Sequence, residues 1–375
     1  VKGFSSIRTT DVGSFPLINI NATRYAQGAA DTEDGRSTND ADYFTHSHNM
    51  AFKQKLTALG PHLSTPSYVQ SSHTRDMVNQ FLDPIIRHGR GLQKHKDNYL
   101  WDGSTIQLPP NHANIAELIA LKQHAKTLCQ ELELDCIRYR VCVTGPFELL
   151  TRIWRSMGVS SRYDTSLIEA FSTIVQHFMQ NSNVETKYLK PEIFTLEEPS
   201  IGVTGVGDLF MDTETDENLS HLITHWNKIF SATPQQHYRG LHLHASPYHQ
   251  LARANWNLLE AHLHVIVNRE WLMDHDKYIR AAIMRTDGPT IPPNADLKTV
   301  WTQIQSGQYH PYLQPRTDMQ KRLHTAIQRY GTGRTPFAGP ECGLGSWDWK
   351  HGDTMVLENL TRLRDVVSEF NTNRK

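Results

Sequence analysis

The side chains best suited to chemistry in this sequence collect in three short places. Glu197-Glu198 follows one apolar run, His242 and His244 stand two apart in another, and Glu341-Cys342 follows a third. Imidazole nitrogen, thiolate sulfur and carboxylate oxygen are the donors that hold zinc. On an extended segment an i, i+2 spacing sends both imidazoles from one face. A zinc ion so held could ionise a bound thiol. A free thiol, with a pKa near ~8.5, is only slightly ionised at neutral pH, whereas a metal-bound one is deprotonated outright. Spacing alone does not decide the matter. The chain has 21 histidines, and His46/His48 and His262/His264 repeat the same pattern. A lone late cysteine such as Cys342 is more often a small buried hydrophobe.

Such groups need elements to position them, and the apolar periodicity supplies these. Residues 111–134 put Ile115, Leu118, Ile119, Leu128 and Leu132 at helical spacing, and 137–143 then reads as a strand ended by Thr144-Gly145-Pro146. The alternation continues with a helix over 166–179 and a strand over 192–196, then a helix over 218–230 and a strand over 240–246. A helix at about 248–260 precedes a strand at 264–268, and a helix near 318–330 precedes a strand near 336–339. A terminal helix covers 354–370. Strands alternating with helices predict parallel βαβ units. No Gly-x-Gly-x-x-Gly turn follows a strand, which disfavours a dinucleotide-binding sheet. Polar strand ends match the rim where (β/α)8 barrels keep their chemistry. The expected fold is an α/β TIM barrel, one domain over residues 1–375. The segment near 28–48, polar and poor in apolar residues, reads as a long surface loop and a lid over the mouth.

Bulk properties narrow the class. Lys and Arg number 38 against 39 Asp and Glu, so no global field attracts nucleic acid or an anionic membrane. No apolar stretch is long enough for a transmembrane helix, and Val1 to Ser14 holds no signal-peptide run. Four cysteines, Cys129, Cys136, Cys142 and Cys342, do not form a disulfide framework. A cytoplasmic enzyme of small molecules is the expectation.

Seven strings, taken in order, resemble the cobalamin-independent methionine synthase family in its catalytic C-terminal half. They are Thr9-Thr10-Asp11-Val12-Gly13-Ser14-Phe15-Pro16, Arg75-Asp76-Met77-Val78, Val143-Thr144-Gly145-Pro146, Glu197-Glu198-Pro199, His242-Leu243-His244-Ala245-Ser246, Gly288-Pro289-Thr290-Ile291-Pro292 and Pro340-Glu341-Cys342-Gly343-Leu344. Each alone is weak, but their order from residue 9 to 344 is hard to obtain by chance. The resemblance implies a barrel spanning nearly the whole chain, without the duplicated N-terminal half of the long members.

It also implies roles. Zn2+ would be held by His242, His244, Cys342 and a carboxylate at Glu270. Ser14, Ser71 and Glu197 would touch the substrate, while Asp287 and Glu198 would do acid–base work. The implied reaction moves a methyl group from a donor, with a folate or corrinoid carrier among the options, to homocysteine or another small thiol. The chain departs from the family in four places. His244 stands for a Cys, Ser71 for a Glu, Glu197 for an Asp and Asp287 for a His. Losing a carboxylate opposite an ammonium removes a charge-assisted bond of roughly 1.5–3 kcal/mol, so the acceptor need not be homocysteine. Other readings stay open: a zinc-dependent transferase of the epoxyalkane/coenzyme M type, a uroporphyrinogen decarboxylase-like barrel, and a metal-binding barrel without catalysis.

Overall fold

A computed structural model of the chain describes residues 6–72, 74–96, 98–156, 159–160, 166–203, 216–245 and 249–374. Val1 to Ser5 and Ser246, which the sequence reading used, lie outside the described residues. Eight strands carry the architecture: β1 (Arg8–Thr10), β2 (Ser64–Thr65), β3 (Ile137–Thr144), β4 (Leu189–Glu197), β5 (Tyr238–Leu243), β6 (Leu258–Ala261), β7 (Tyr278–Met284) and β8 (Phe337–Pro340). They lie side by side in the order β2-β1-β8-β7-β6-β5-β4-β3. Every pairing is parallel. A parallel bridge between Ser67 and Arg140 joins the two edges. The fold is the TIM barrel that the strand–helix alternation predicts.

Strand residues alternate between the helix-facing core and the barrel interior. Ile193, Leu258 and Phe337, with Tyr238 and Tyr278 beside them, form an apolar layer that fills the N-terminal end of the interior. Above it the interior turns charged. Arg140 Nη1 lies 2.6 Å from Glu260 Oε2, Arg280 Nε 3.4 Å from the same oxygen, and Arg140 Nη2 3.7 Å from Glu197 Oε1. Two glycines make room for these side chains. A Cβ at Gly240 would meet Thr195 Oγ1 at 2.6 Å and Glu260 Oε1 at 3.2 Å, and one at Gly339 would meet Thr10 O at 2.4 Å and Arg280 Nη1 at 3.0 Å.

The segment near 28–48 is not a loop. Helices Ala22–Glu33 and Asn39–Leu59 cover it, with only a short turn between them. Both are capped as helices should be: Asn21 accepts from Arg24 N, and Thr38 from Ala41 N, with Asp40 and Asp42 in the second helix's first turn. Their polar composition hides a narrow apolar stripe. Phe44, His48 and Phe52, spaced by four, stack on one buried face.

One buried pair ties this helix to the barrel. Lys55 Nζ donates to Asp11 Oδ2 (2.9 Å), Ser67 Oγ (2.9 Å) and Tyr68 O (3.1 Å), and Ser67 N donates to Asp11 Oδ1 at 2.7 Å. Both charges are fully buried. Lys55→Met would strand the Asp11 carboxylate, so its expected cost is about 3–5 kcal/mol in denaturant unfolding. A loss below about 1 kcal/mol would mean the pair is dispensable.

The sixth strand also departs from expectation. It runs at Leu258–Ala261 rather than 264–268, and the segment before it is a short 3-10 turn, His249–Arg253, not a helix over 248–260. Asn257 sets the strand's entry, donating through its N–H to Arg239 O (2.9 Å) and accepting from Arg239 N at its side-chain oxygen (2.8 Å). Residues 265 and 267 are buried from an irregular segment, which imitates a strand's alternation.

Candidate metal centre

The C-terminal ends of β5, β6 and β8 bring together His242, His244, His262 and Cys342, and one ligand atom from each lies within 4.8 Å of all the others. The register explains the meeting. His242 pairs with Glu260 and Leu243 with Ala261, so His244 and His262 stand level just beyond the two strand ends. Their ring centroids are 4.1 Å apart, and His242 lies 5.3 Å from His244. Cys342 arrives from across the mouth, its Sγ 3.3 Å from His244 Nε2 and 3.8 Å from His242 Nε2. Ligands of one tetrahedral zinc, at about 2.0–2.1 Å for nitrogen and 2.3 Å for sulfur, stand at comparable separations.

The surroundings keep the imidazoles among these groups uncharged. Burial pushes His242 well below the ordinary imidazole range, and burial with the neighbouring imidazoles takes His244 to about 4. Both rings are therefore neutral and keep a lone pair to donate. Burial likewise lowers His262, with Glu341 opposing the shift, and raises the Cys342 thiol to about 11. His242 Nδ1 and His262 Nε2 are buried without hydrogen-bond partners among the described residues. Three neutral nitrogens and one latent thiolate form a donor set that zinc fits.

A surrounding layer holds these ligands. Arg280 donates to the carbonyls of Pro340 and Glu341 (3.2 Å for the latter) and so fixes the backbone just before Cys342. The Glu341 carboxylate accepts from Leu263 N and Thr286 N at 3.3 Å each and faces His262 Nδ1 at 4.0 Å. Such carboxylate–histidine contacts set the orientation of a ligating ring.

The structure distributes the residues singled out in the sequence unevenly. His242, His244 and Cys342 converge. Glu197 lies buried on the same barrel end, paired in register with His242, and burial pushes its carboxyl to about 7 against the pull of Arg140. Ser14 packs beside the cysteine loop, since a Cβ at Gly343 would lie 2.8 Å from Ser14 Cβ. Ser71 is buried beyond the end of β2, where its Oγ accepts from Thr74 Oγ1 at 2.8 Å.

Three others do not join the site as expected. Glu270 is exposed in the first turn of helix Arg269–Asp274, where Asn268 caps its N–H, and the misplaced sixth strand is the reason it was assigned. Asp287 is exposed and ion-paired with Arg285, whose hydrogen bond and charge hold its carboxyl below the usual range, the wrong direction for a general acid. Glu198 faces away from the interior and accepts from Phe147 N (3.2 Å), Glu148 N (2.8 Å) and Trp226 Nε1 (3.0 Å). It anchors the turn after β3, and Gly145 is a glycine there because a Cβ would meet the Glu198 carboxyl carbon at 2.1 Å.

Burial raises Glu198 from 4.5 to about 8. Between those values the folded protein holds a proton that the unfolded chain has released. Its stabilisation is therefore full below pH ~4.5 and is lost as pH rises through about 8. Glu198→Gln should flatten that decline in urea midpoints between pH 5 and 8 while leaving metal content unchanged. An unaltered slope would remove Glu198 as its cause.

His262 escaped the sequence reading although a signal was there, in its pairing with His264. Arg140, Glu260 and Arg280 gave no pattern, because their partners come from separate strands.

No protein-family model and no curated protein matches the chain. Solved structures do. A B12-independent methionine synthase from Shewanella sp. W3-18-1, in complex with selenomethionine, superposes with a TM-score of 0.59 at 11% identity, covering 98% of this chain and 99% of that one. A methyltransferase from Methanosarcina mazei gives a TM-score of 0.54 at 12% identity, covering 99% of this chain and 95% of the other. At such identities the likeness is one of fold. No helix among the described residues is long and apolar enough to cross a membrane.

Proposed function

We propose that this chain is a methyltransferase that alkylates a small thiol at a zinc ion held by His242, His244, His262 and Cys342. The observation that carries the proposal is the convergence of three imidazoles and one thiol at the C-terminal mouth of the barrel. The methyl-transferring proteins that share this barrel are consistent with it. Bound there, zinc supplies a Lewis acid that keeps a substrate sulfur ionised at neutral pH. The chain's own residues do the rest. Burial keeps the imidazoles neutral, Arg280 and Glu341 fix the cysteine loop and His262, and Glu197 receives the thiol proton. Its Oε1 is buried with Arg140 Nη2 3.7 Å away, and burial raises its carboxyl to about 7. A folate and a corrinoid are the two carriers to be tried as methyl donor.

The acceptor follows from Ser71. A neutral hydroxyl already engaged by Thr74 offers no charge to an ammonium, so homocysteine should have little advantage over thiols that lack the amino group. With one methyl donor fixed, kcat/KM for homocysteine and for 2-mercaptoethanol should agree within about tenfold. A preference for homocysteine of a hundredfold, roughly 2.7 kcal/mol, would assign methionine synthesis and overturn the role given to Ser71.

A second reading rests on the ligand count. Four protein side chains can close a tetrahedron, the arrangement of structural zinc. In that case the protein binds zinc but transfers methyl to no thiol from either carrier, and the proposed activity fails.

A further inference from the structure

We propose a second divalent-metal site, formed by Asp34, His88 and His112 outside the barrel strands and independent of the His242 cluster. Three separate elements deliver these residues. Asp34 caps the end of helix Ala22–Glu33, His88 is the last residue of helix Asn79–His88, and His112 ends the 3-10 turn Pro110–His112. One carboxylate oxygen and two ring nitrogens come within 4.8 Å of one another.

Two details point to an ion rather than to a simple Asp–His pair. His88 Nε2 and Asp34 Oδ1 are 2.7 Å apart and shielded from solvent, yet neither makes a hydrogen bond among the described residues. Close but misaligned donors are what ligands look like when they aim at a common third point. Ligands of one ion at about 2.0–2.1 Å stand about 2.9 Å apart in an octahedral shell and about 3.4 Å apart in a tetrahedral one, so binding would open the pair slightly. The second detail is the outer support. Arg36 Nη2 donates to Asp34 Oδ2 at 2.8 Å, fixing the carboxylate while leaving Oδ1 for a metal. Arg36 also lies 2.8 Å from Asp31 Oδ1, so its charge is shared.

The two imidazoles stack with centroids 4.1 Å apart and planes 12° apart. For both to bind one ion, one ring must turn about its Cβ–Cγ bond. That torsion is soft, and both rings are only half-buried. Of the three residues, His88 also lines a cavity of about 770 Å³, with Arg90, Pro110 and His177. Two imidazoles and a carboxylate, without sulfur, suit zinc, iron(II) or nickel(II). The ion would pin the ends of three surface elements together.

The test is metal counting on the full chain equilibrated with cobalt(II), a spectroscopic substitute for zinc. His112→Gln and Asp34→Asn should each bind one ion fewer per chain than the parent. The thiolate-to-cobalt charge-transfer band, which only the Cys342 site can give, should remain, and its persistence also reports folding. Zinc should raise the Tm of the parent by more than that of either variant. Equal ion counts in parent and variants would overturn the second site. So would loss of ion and band together, which would mean a single site. Should the Cys342 site bind no metal at all, the count simply falls from one to zero, so failure of the proposed function is told apart from failure here.

Discussion

Exchanging Cys342 for alanine is expected to lower methyl transfer by at least about a thousandfold and to weaken zinc binding. The expectation follows from what sulfur contributes. Cys342 Sγ is the only thiol in the cluster and stands within 3.3–3.8 Å of two of the three imidazoles. A metal acting as a Lewis acid supplies several kcal/mol of stabilisation, and its loss translates into three or more powers of ten in rate. The control is Cys142→Ala. Cys142 is fully buried in the barrel interior, where it accepts from Arg140 Nε at 3.2 Å, and it lies outside the cluster. That variant should keep its metal and most of its activity. Comparable losses in both would show that the effect comes from a disturbed barrel and not from a missing ligand.

The second large effect separates His262 from Glu270. His262→Ala should weaken zinc affinity by two orders of magnitude or more, since it removes one of four donors, and Glu270→Gln should leave affinity unchanged. Glu341→Gln belongs between them, with a loss of about 10–100-fold, because its carboxylate faces His262 and holds two backbone N–H groups without itself joining the cluster. Competition titrations with a chromophoric chelator measure all three. If Glu270→Gln weakened binding and His262→Ala did not, the ligand set would have to be redrawn around a rearranged sixth strand.

These contrasts show what the sequence carried and what it did not. The barrel class was legible because β3, β4, β5 and β8 are short apolar runs and the helices beside them show a 3.6-residue stripe, whereas β2 and β7 went unread. His242, His244 and Cys342 were legible because they sit beside strand ends with flanking residues that match a family pattern. The sixth strand was not. Its four residues, Leu258–Ala261, are fewer than periodicity needs, and buried Val265 and Val267 imitate a strand a few residues later. That one displacement put Glu270, rather than His262, beside the two histidines. The helices over 22–33 and 39–59 were hidden by polar composition, though Asn21 and Thr38 stood as visible caps. Glu197 and Glu198 show a further limit. Adjacent strand residues face opposite ways, so one carboxylate enters the barrel while the other ties down a turn.

Zinc-edge X-ray absorption on the purified protein, combined with metal stoichiometry, tests the central claim most directly. In Asp34→Asn, which removes the second proposed site, the expected result is one zinc ion coordinated by a single sulfur at about 2.3 Å, with nitrogen at about 2.0–2.1 Å, and loss of the sulfur shell when Cys342→Ala is added. Zinc with no sulfur in its shell, or a protein that binds no zinc at these residues, would contradict it.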